Sequence, residues 1–310
     1  MICRLAIVLL ALSVTAKPLK QGNAASAKPM SPKEQQASFT VPDGFVIELV
    51  ASEAEGVVKP ISLAFDDAGR LWTQTAREYP RDKDTAIWQK GGSDQVLVFD
   101  TPCERSVQTP RVFADGLVMP TGVLPHGTGA YVIHGPELLF MDDTDGDGKT
   151  DERQVLLSGL GVQDTHTTAH QLMHAPGGWI TFSQGVLASG TVTDASGAKV
   201  PLGRGVFARM KQDGTKLQVV GAGTNNAWAW AIDREGRTFT HEANDFGYSQ
   251  ILWERDATYP AFFKILRYPD SMMHPPTAQG LDLGGTGFSG IAVSEFAFPA
   301  PWRGVNFVAN

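Results

Sequence analysis

The chain has little cysteine: two residues in 310, Cys3 and Cys103. No CxxCH occurs, so this segment carries no covalent c-type haem. Charged residues make up 19% of the chain and the balance is acidic, at −7. That excludes a general electrostatic attraction to nucleic acid or to an anionic membrane surface. No stretch keeps a helical hydrophobic period over several turns, and no apolar run is long enough to span a bilayer comfortably.

The one apolar run that exists is at the start. Arg4 precedes Leu5–Leu12, and Val14-Thr15-Ala16 ends it with small residues, the pattern of a secretory signal over residues 1–16. An uncleaved anchor is the alternative. Secreted or periplasmic placement follows from the signal reading, and Cys103 is then expected to stand alone. Residues 17–38 are rich in Lys, Ala, Ser, Gln and Pro and read as a flexible linker. The folded domain is expected over 39–310, opening with a strand at Phe45–Val50.

What the chain has in quantity is turns: 33 glycines and 19 prolines, beside 42% hydrophobic residues. They fall in a repeat of strand, Asp/Gly turn, strand. Copies begin at Pro60, Pro120, His170 and Trp228, with a weaker fifth at Ser289. A third strand often follows, as at Gln95–Phe99, Glu137–Met141, Gly205–Arg209 and Ser249–Trp253. A fourth appears at Arg111–Phe113, Gln154–Leu157 and Gln218–Val220. Four short strands per unit of roughly 50–60 residues is the signature of propeller blades. The expected fold is therefore an all-β propeller of the six-bladed type, here with four to five blades and its ring unclosed. The chain stops inside the fifth unit, which reads as a truncated propeller; a five-bladed ring closed by the N-terminal strand is the alternative.

Two stretches carry chemistry. Asp143-Thr144-Asp145-Gly146-Asp147-Gly148 fits DxDxDG, in which alternate carboxylates converge on one hard cation and a glycine permits the sharp turn. The expected calcium ligands are Asp143, Asp145, Asp147 and Asp151, with the Lys149 carbonyl. Gln154 stands at the twelfth position, so the usual bidentate carboxylate is absent. The alternative is an acidic turn without metal. The second stretch, Asp164–Val186, holds three of the seven histidines, His166, His170 and His174. Thr165, Thr167 and Thr168 disfavour a helix, which argues against a metalloprotease-type zinc site. In a propeller this stretch is a loop entering an innermost strand. There His166 or His170 is placed to act as a general base, with Asp164 holding its tautomer.

Phe39–Phe45, Leu63–Trp72, Asp143–Lys149 and Gln163–His166 together resemble the propeller domain of the planctomycete and verrucomicrobial "membrane-bound dehydrogenase" family. That family is similar to soluble glucose and sorbosone dehydrogenases that use pyrroloquinoline quinone. The resemblance implies a sugar or alcohol substrate and a histidine that takes the hydroxyl proton while hydride passes to the quinone. It also implies a cytochrome c domain or protein as electron acceptor, since family members usually continue into one. The DTHxTxH pattern matches at Asp164, Thr165, His166, Thr168 and His170. The channel loops offer Arg77, Glu78, Asn225, Asn226, Glu242 and Asn244 to the cofactor. Two departures stand out: Val186 replaces an aspartate that supports the base, and Asn225-Asn226 replaces an arginine followed by asparagine. A calcium-dependent lactonase and a non-catalytic glycan- or protein-binding propeller are the other readings of the same loops.

Overall fold

A computed structural model describes residues 28–80, 86–104, 106–222, 226–242, 248–251, 289–294 and 298–309. Short antiparallel strands follow one another in five sheets. The first holds β1 (Leu63–Phe65), β2 (Leu71–Gln74), β3 (Asp94–Phe99) and β4 (Arg111–Leu117). The second holds β5 (Pro120–His126), β6 (Gly129–His134), β7 (Glu137–Asp142) and β8 (Glu152–Ser158). The third begins with β9 (His170–Ala175) and β10 (Trp179–Gln184). The chain then leaves it for a hairpin, β11 (Gly190–Asp194) and β12 (Lys199–Leu202), and returns with β13 (Val206–Lys211) and β14 (Gln218–Ala222). The fourth holds β15 (Ala227–Ile232), β16 (Thr238–Glu242) and β17 (Tyr248–Ile251), and the fifth β18 (Ser289–Val293) and β19 (Asn306–Ala309). The first strands of successive sheets lie side by side, β1 by β5, β5 by β9, β9 by β15 and β15 by β18. This is the all-β propeller plan, with sheets that do not close a ring.

The repeated Asp/Gly turn has one physical cause. Asp66 Oδ1 accepts the N–H groups of Ala68 and Arg70, and its Oδ2 takes Arg70 Nε at 2.6 Å and Trp72 Nε1 at 2.8 Å. Asp233 repeats this with Glu235 N, Arg237 N and Arg237 Nε. The glycine of each turn, Gly69 and Gly236, sits at φ 79°, a left-handed conformation that glycine adopts without strain. Between sheets, alternating side chains make the core. Leu124, Leu172, Ile180 and Phe182 pack in the seam of the second and third sheets, and Trp72, Val98, Phe113, Val123 and Val132 in that of the first and second.

Four details differ from the sequence reading. Phe45–Val50 joins no sheet; Ile47 O accepts from the Gln36 side chain, Val50 O from Gln108 N, and Phe45 meets Trp302 edge-on at 5.4 Å. No strand lies beside it among the described residues, so its β propensity is not used in a ladder. The hairpin β11–β12, unseen in the sequence, extends the second sheet from β8 to six strands. Residues 32–38, inside the stretch read as linker, form a helix, α1 (Pro32–Ser38), closed by a Ser31–Glu34 capping box. Cys103 is disulfide-bonded, whereas the loss of Cys3 with a signal would leave it alone; Cys3 and the whole of residues 1–16 lie outside the described residues. Among the described residues no helix is long and apolar enough to cross a membrane.

Candidate functional site

Antiparallel order sorts the loops into two ends. Loops that enter each first strand or leave each second strand lie at one end; first-to-second and third-to-fourth turns lie at the other. The 164–169 loop belongs to the first end and the 143–151 loop to the second.

The 164–169 loop is fixed from both sides. Gly185 N donates to Thr167 O at 2.9 Å, and Thr121 Oγ1 of the second sheet donates to Ala169 O at 2.5 Å. A Cβ on Gly185 would sit 2.7 Å from Thr167 Cβ, so the close approach needs glycine. On this support Asp164 Oδ1 lies 2.8 Å from His166 Nδ1 and also accepts the His166 N–H at 2.9 Å. A carboxylate accepts only, so Nδ1 carries the proton and Nε2 of the neutral ring carries the lone pair. The His166 side chain is 63% exposed, and Asp164 is 24% exposed. Tyr79, from the loop after β2, stands edge-on to the imidazole at 5.3 Å. Burial, then the Asp164 charge, raises the Tyr79 phenol above its ordinary pKa, so it stays a neutral donor.

His170 is separate and buried. Its Nδ1 lies 2.8 Å from Thr168 O, and its ring stacks on Trp228 with centres 4.1 Å apart. Gln171, at φ 56°, re-aims the chain there, and Trp228 Nε1 donates to Asn226 Oδ1 at 2.8 Å. His174 lies far along the same strand and joins neither. The structure thus pairs His166 with Asp164 and gives His170 an aromatic partner from the fourth sheet.

The other expected channel residues are built into the scaffold. Arg77 donates to Ser93 O, Gly56 O and Gln95 Oε1. Glu78 Oε1 accepts both the N–H and the hydroxyl of Ser93. Their backbone N–H groups converge on Asp94, which is fully buried and also receives Thr75 Oγ1 and Met119 N. Asn225, Asn244 and the Glu242 side chain lie outside the described residues. Sequence reasoning missed Asp94 and its neighbour His134, whose Nε2 accepts Val118 N at 3.0 Å. The available signal was a single ionisable residue at one end of each strand, Asp94 opening β3 and His134 closing β6. Gln74 Nε2, Thr168 Oγ1, Gln171 Oε1 and Ser183 Oγ, near this same end, are buried with no partner among the described residues.

At the opposite end the acidic loop brings together three of its five expected ligands. Carboxylate oxygens of Asp143, Asp145 and Asp151 lie within 4.8 Å of one another. Asp147 instead accepts Lys149 N at 2.8 Å. Asp143 is set by Gly146 N and Gly148 N, and Asp151 by Thr144. The loop also knits two sheets: Thr150 N donates to Phe113 O, and Arg111, paired with Asp100, donates to Gly148 O. A cavity of about 360 Å³ at this end lies between the Asp233–Arg237 turn and the fifth sheet; Arg237 pairs with Asp233 and Arg234 with Glu235, and Arg303 Nε donates to Phe298 O.

Residues 31–272 match the family model described as "Domain of unknown function (DUF7133)". The chain belongs to that family. No curated protein matches it. Among solved structures it is similar to the PQQ-bound aldose sugar dehydrogenase of Streptomyces coelicolor, at 16% identity and TM-score 0.52, covering 81% of this chain and 75% of that one. It also matches the pyranose dehydrogenase PQQ domain of Coprinopsis cinerea, at 15% identity, TM-score 0.43, 70% of this chain and 53% of that one. A structure described as a putative gluconolactonase matches at 11% identity, TM-score 0.45, 77% and 69%. At these identities the first supports the propeller fold, and the others add no argument.

Proposed function

We propose that this DUF7133 chain is a propeller enzyme that takes the proton from a hydroxyl of a small sugar or alcohol, with His166 as the base and Asp164 as the group that orients it. The observation that carries the reading is the 2.8 Å contact between Asp164 Oδ1 and His166 Nδ1 beneath an exposed ring. A carboxylate there fixes the tautomer and stabilises the imidazolium that forms. Tyr79 borders the position where the hydroxyl would lie, and the buried unpartnered polar atoms near the same end suit a polar occupant. His170 supports the loop from within and takes no proton in this scheme.

The step after deprotonation depends on the acceptor. In the oxidative reading hydride goes to pyrroloquinoline quinone, which would supply a two-electron sink beside the base. The described residues do not fit it. The quinone carries several carboxylates and needs cations, yet Arg77 is engaged by three protein oxygens and Glu78 adds negative charge. No step is therefore routed through it, and an electron acceptor such as a cytochrome c enters only with the oxidative outcome. That same engagement of Arg77 favours a second reading, opening of a sugar lactone by a water that His166 deprotonates. Calcium bound by Asp143, Asp145 and Asp151, and secretion through residues 1–16, complete the proposal.

The test uses the purified chain with calcium. Aldose oxidation is followed by dye reduction with added quinone, and lactone opening by acid release without it. One activity is expected, and His166→Asn is expected to lose it. Activity that survives His166→Asn, or neither activity in the unaltered protein, would overturn the proposal.

A further inference from the structure

A pair of histidines meets at the end of the sheets opposite His166. His126 closes β5, and His174 lies near the end of β9. Their ring centres are 5.4 Å apart, with planes at 49°. Strand alternation brings them together. Leu124 and Leu172 share the core of the second-to-third seam, and two residues on from each, His126 and His174 continue along it. His174 Nε2 lies 3.0 Å from Pro125 O. The carbonyl accepts only, so Nε2 carries the proton and Nδ1 the lone pair. His126 touches Tyr131 and Phe140, at 5.6 and 6.4 Å, and has no hydrogen bond among the described residues.

We propose that His126 and His174 together bind one divalent transition-metal ion of the zinc class, with Nδ1 of His174 as one ligand and water filling the open positions. The spacing suits this. A metal–nitrogen bond of about 2.0–2.1 Å puts two imidazoles of one ion with centres roughly 5–6 Å apart. The Pro125 carbonyl behind His174 is the kind of partner that orients metal-bound histidines and makes them more basic. The groups facing the pair are few. Asp67, on the turn of the first sheet, lends negative charge to His126. Tyr131 is kept neutral by burial and by Asp213, its pKa pushed up to about 12. Among the described residues the pair belongs to no group of three or more imidazole, thiol or carboxylate ligand atoms within 4.8 Å of one another. The site therefore has two protein ligands and open positions. It differs in kind from the acidic loop: imidazole suits zinc, copper and nickel, whereas clustered carboxylates suit calcium. An ion here would clasp the second sheet to the third at the end where no backbone ladder joins them.

The test is zinc binding by the full chain in excess calcium, measured by elemental analysis after dialysis and by competition with a chromophoric chelator. One zinc per chain is expected. His126→Gln and His174→Gln are each expected to weaken it at least about tenfold, and Asp143→Asn/Asp151→Asn to leave it unchanged. A double histidine variant that keeps the affinity, or loss of the zinc in the aspartate variant, overturns the proposal. X-ray absorption at the zinc edge of the unaltered protein does not depend on how any variant folds. Imidazole scattering is expected, and an all-oxygen shell overturns the assignment.

Discussion

Asp164 holds His166 twice, through the backbone N–H at 2.9 Å and through ring Nδ1 at 2.8 Å, so one carboxylate oxygen sets both the turn and the tautomer. The two roles separate under mutation. Asp164→Asn keeps a side-chain oxygen for the turn but no longer stabilises an imidazolium. The expected outcome is a fall in kcat of about 10²–10⁴ with a small change in KM. His166→Asn should cost at least as much, and the double variant little more than either single one. Steady-state kinetics of the four proteins checks this.

His134 makes stability depend on acid. Burial, and then the positive charge of Arg153, lowers its pKa from 6.5 to about 4, and its Nε2 accepts Val118 N in the neutral form. Between those values the unfolded chain binds a proton that the native chain does not, so stability is full above about pH 6.5 and is lost as pH falls toward 4. The contribution is on the order of 3 kcal/mol. Urea melts across this range should show a smaller slope with pH for His134→Gln than for the unaltered protein. Equal slopes would remove His134 from the account.

Asp94 is the joint between the first two sheets. It accepts Thr75 Oγ1, Arg77 N and Met119 N at 2.8, 2.5 and 2.9 Å, with Glu78 N at 3.3 Å. Asp94→Asn turns donors toward donors in a buried place, and about 3 kcal/mol or more of destabilisation is expected. The denaturation midpoint reads it. Gly135→Ala should also destabilise, since φ is 61° and a Cβ would run into the Trp88 ring.

The repeat was legible because its turns are chemical: an Asp whose carboxylate closes on its own loop leaves the same mark at Asp66 and Asp233. The β11–β12 hairpin was not legible, because Thr191, Val192 and Thr193 alternate too briefly to separate a strand from a loop. Asp164 and His166 were readable as a pair because a single residue separates them. Asp94 and His134 were not, because their meeting depends on which loops stack across a seam. Arg77 and Glu78 were read as cofactor ligands from their place at a channel loop, and that place does not say whether a guanidinium faces solvent or neighbouring carbonyls. Here it faces carbonyls.

The acidic loop and the histidine loop lie at opposite ends of the sheets, so calcium should act on stability alone. Asp143, Asp145 and Asp151 already stand within 4.8 Å of one another, and the loop they anchor is tied to the neighbouring sheet through Thr150 and Arg111. An ion that binds only the folded loop stabilises it by about 2.7 kcal/mol at a hundred times its Kd. Thermal melts should rise with added calcium and return to the metal-free value with chelator. Asp143→Asn/Asp151→Asn should abolish the calcium-dependent rise, while kcat at saturating substrate stays unchanged below the melting range. If chelation instead stops turnover of fully folded protein, the cation belongs at the histidine end and the acidic loop is a turn without metal.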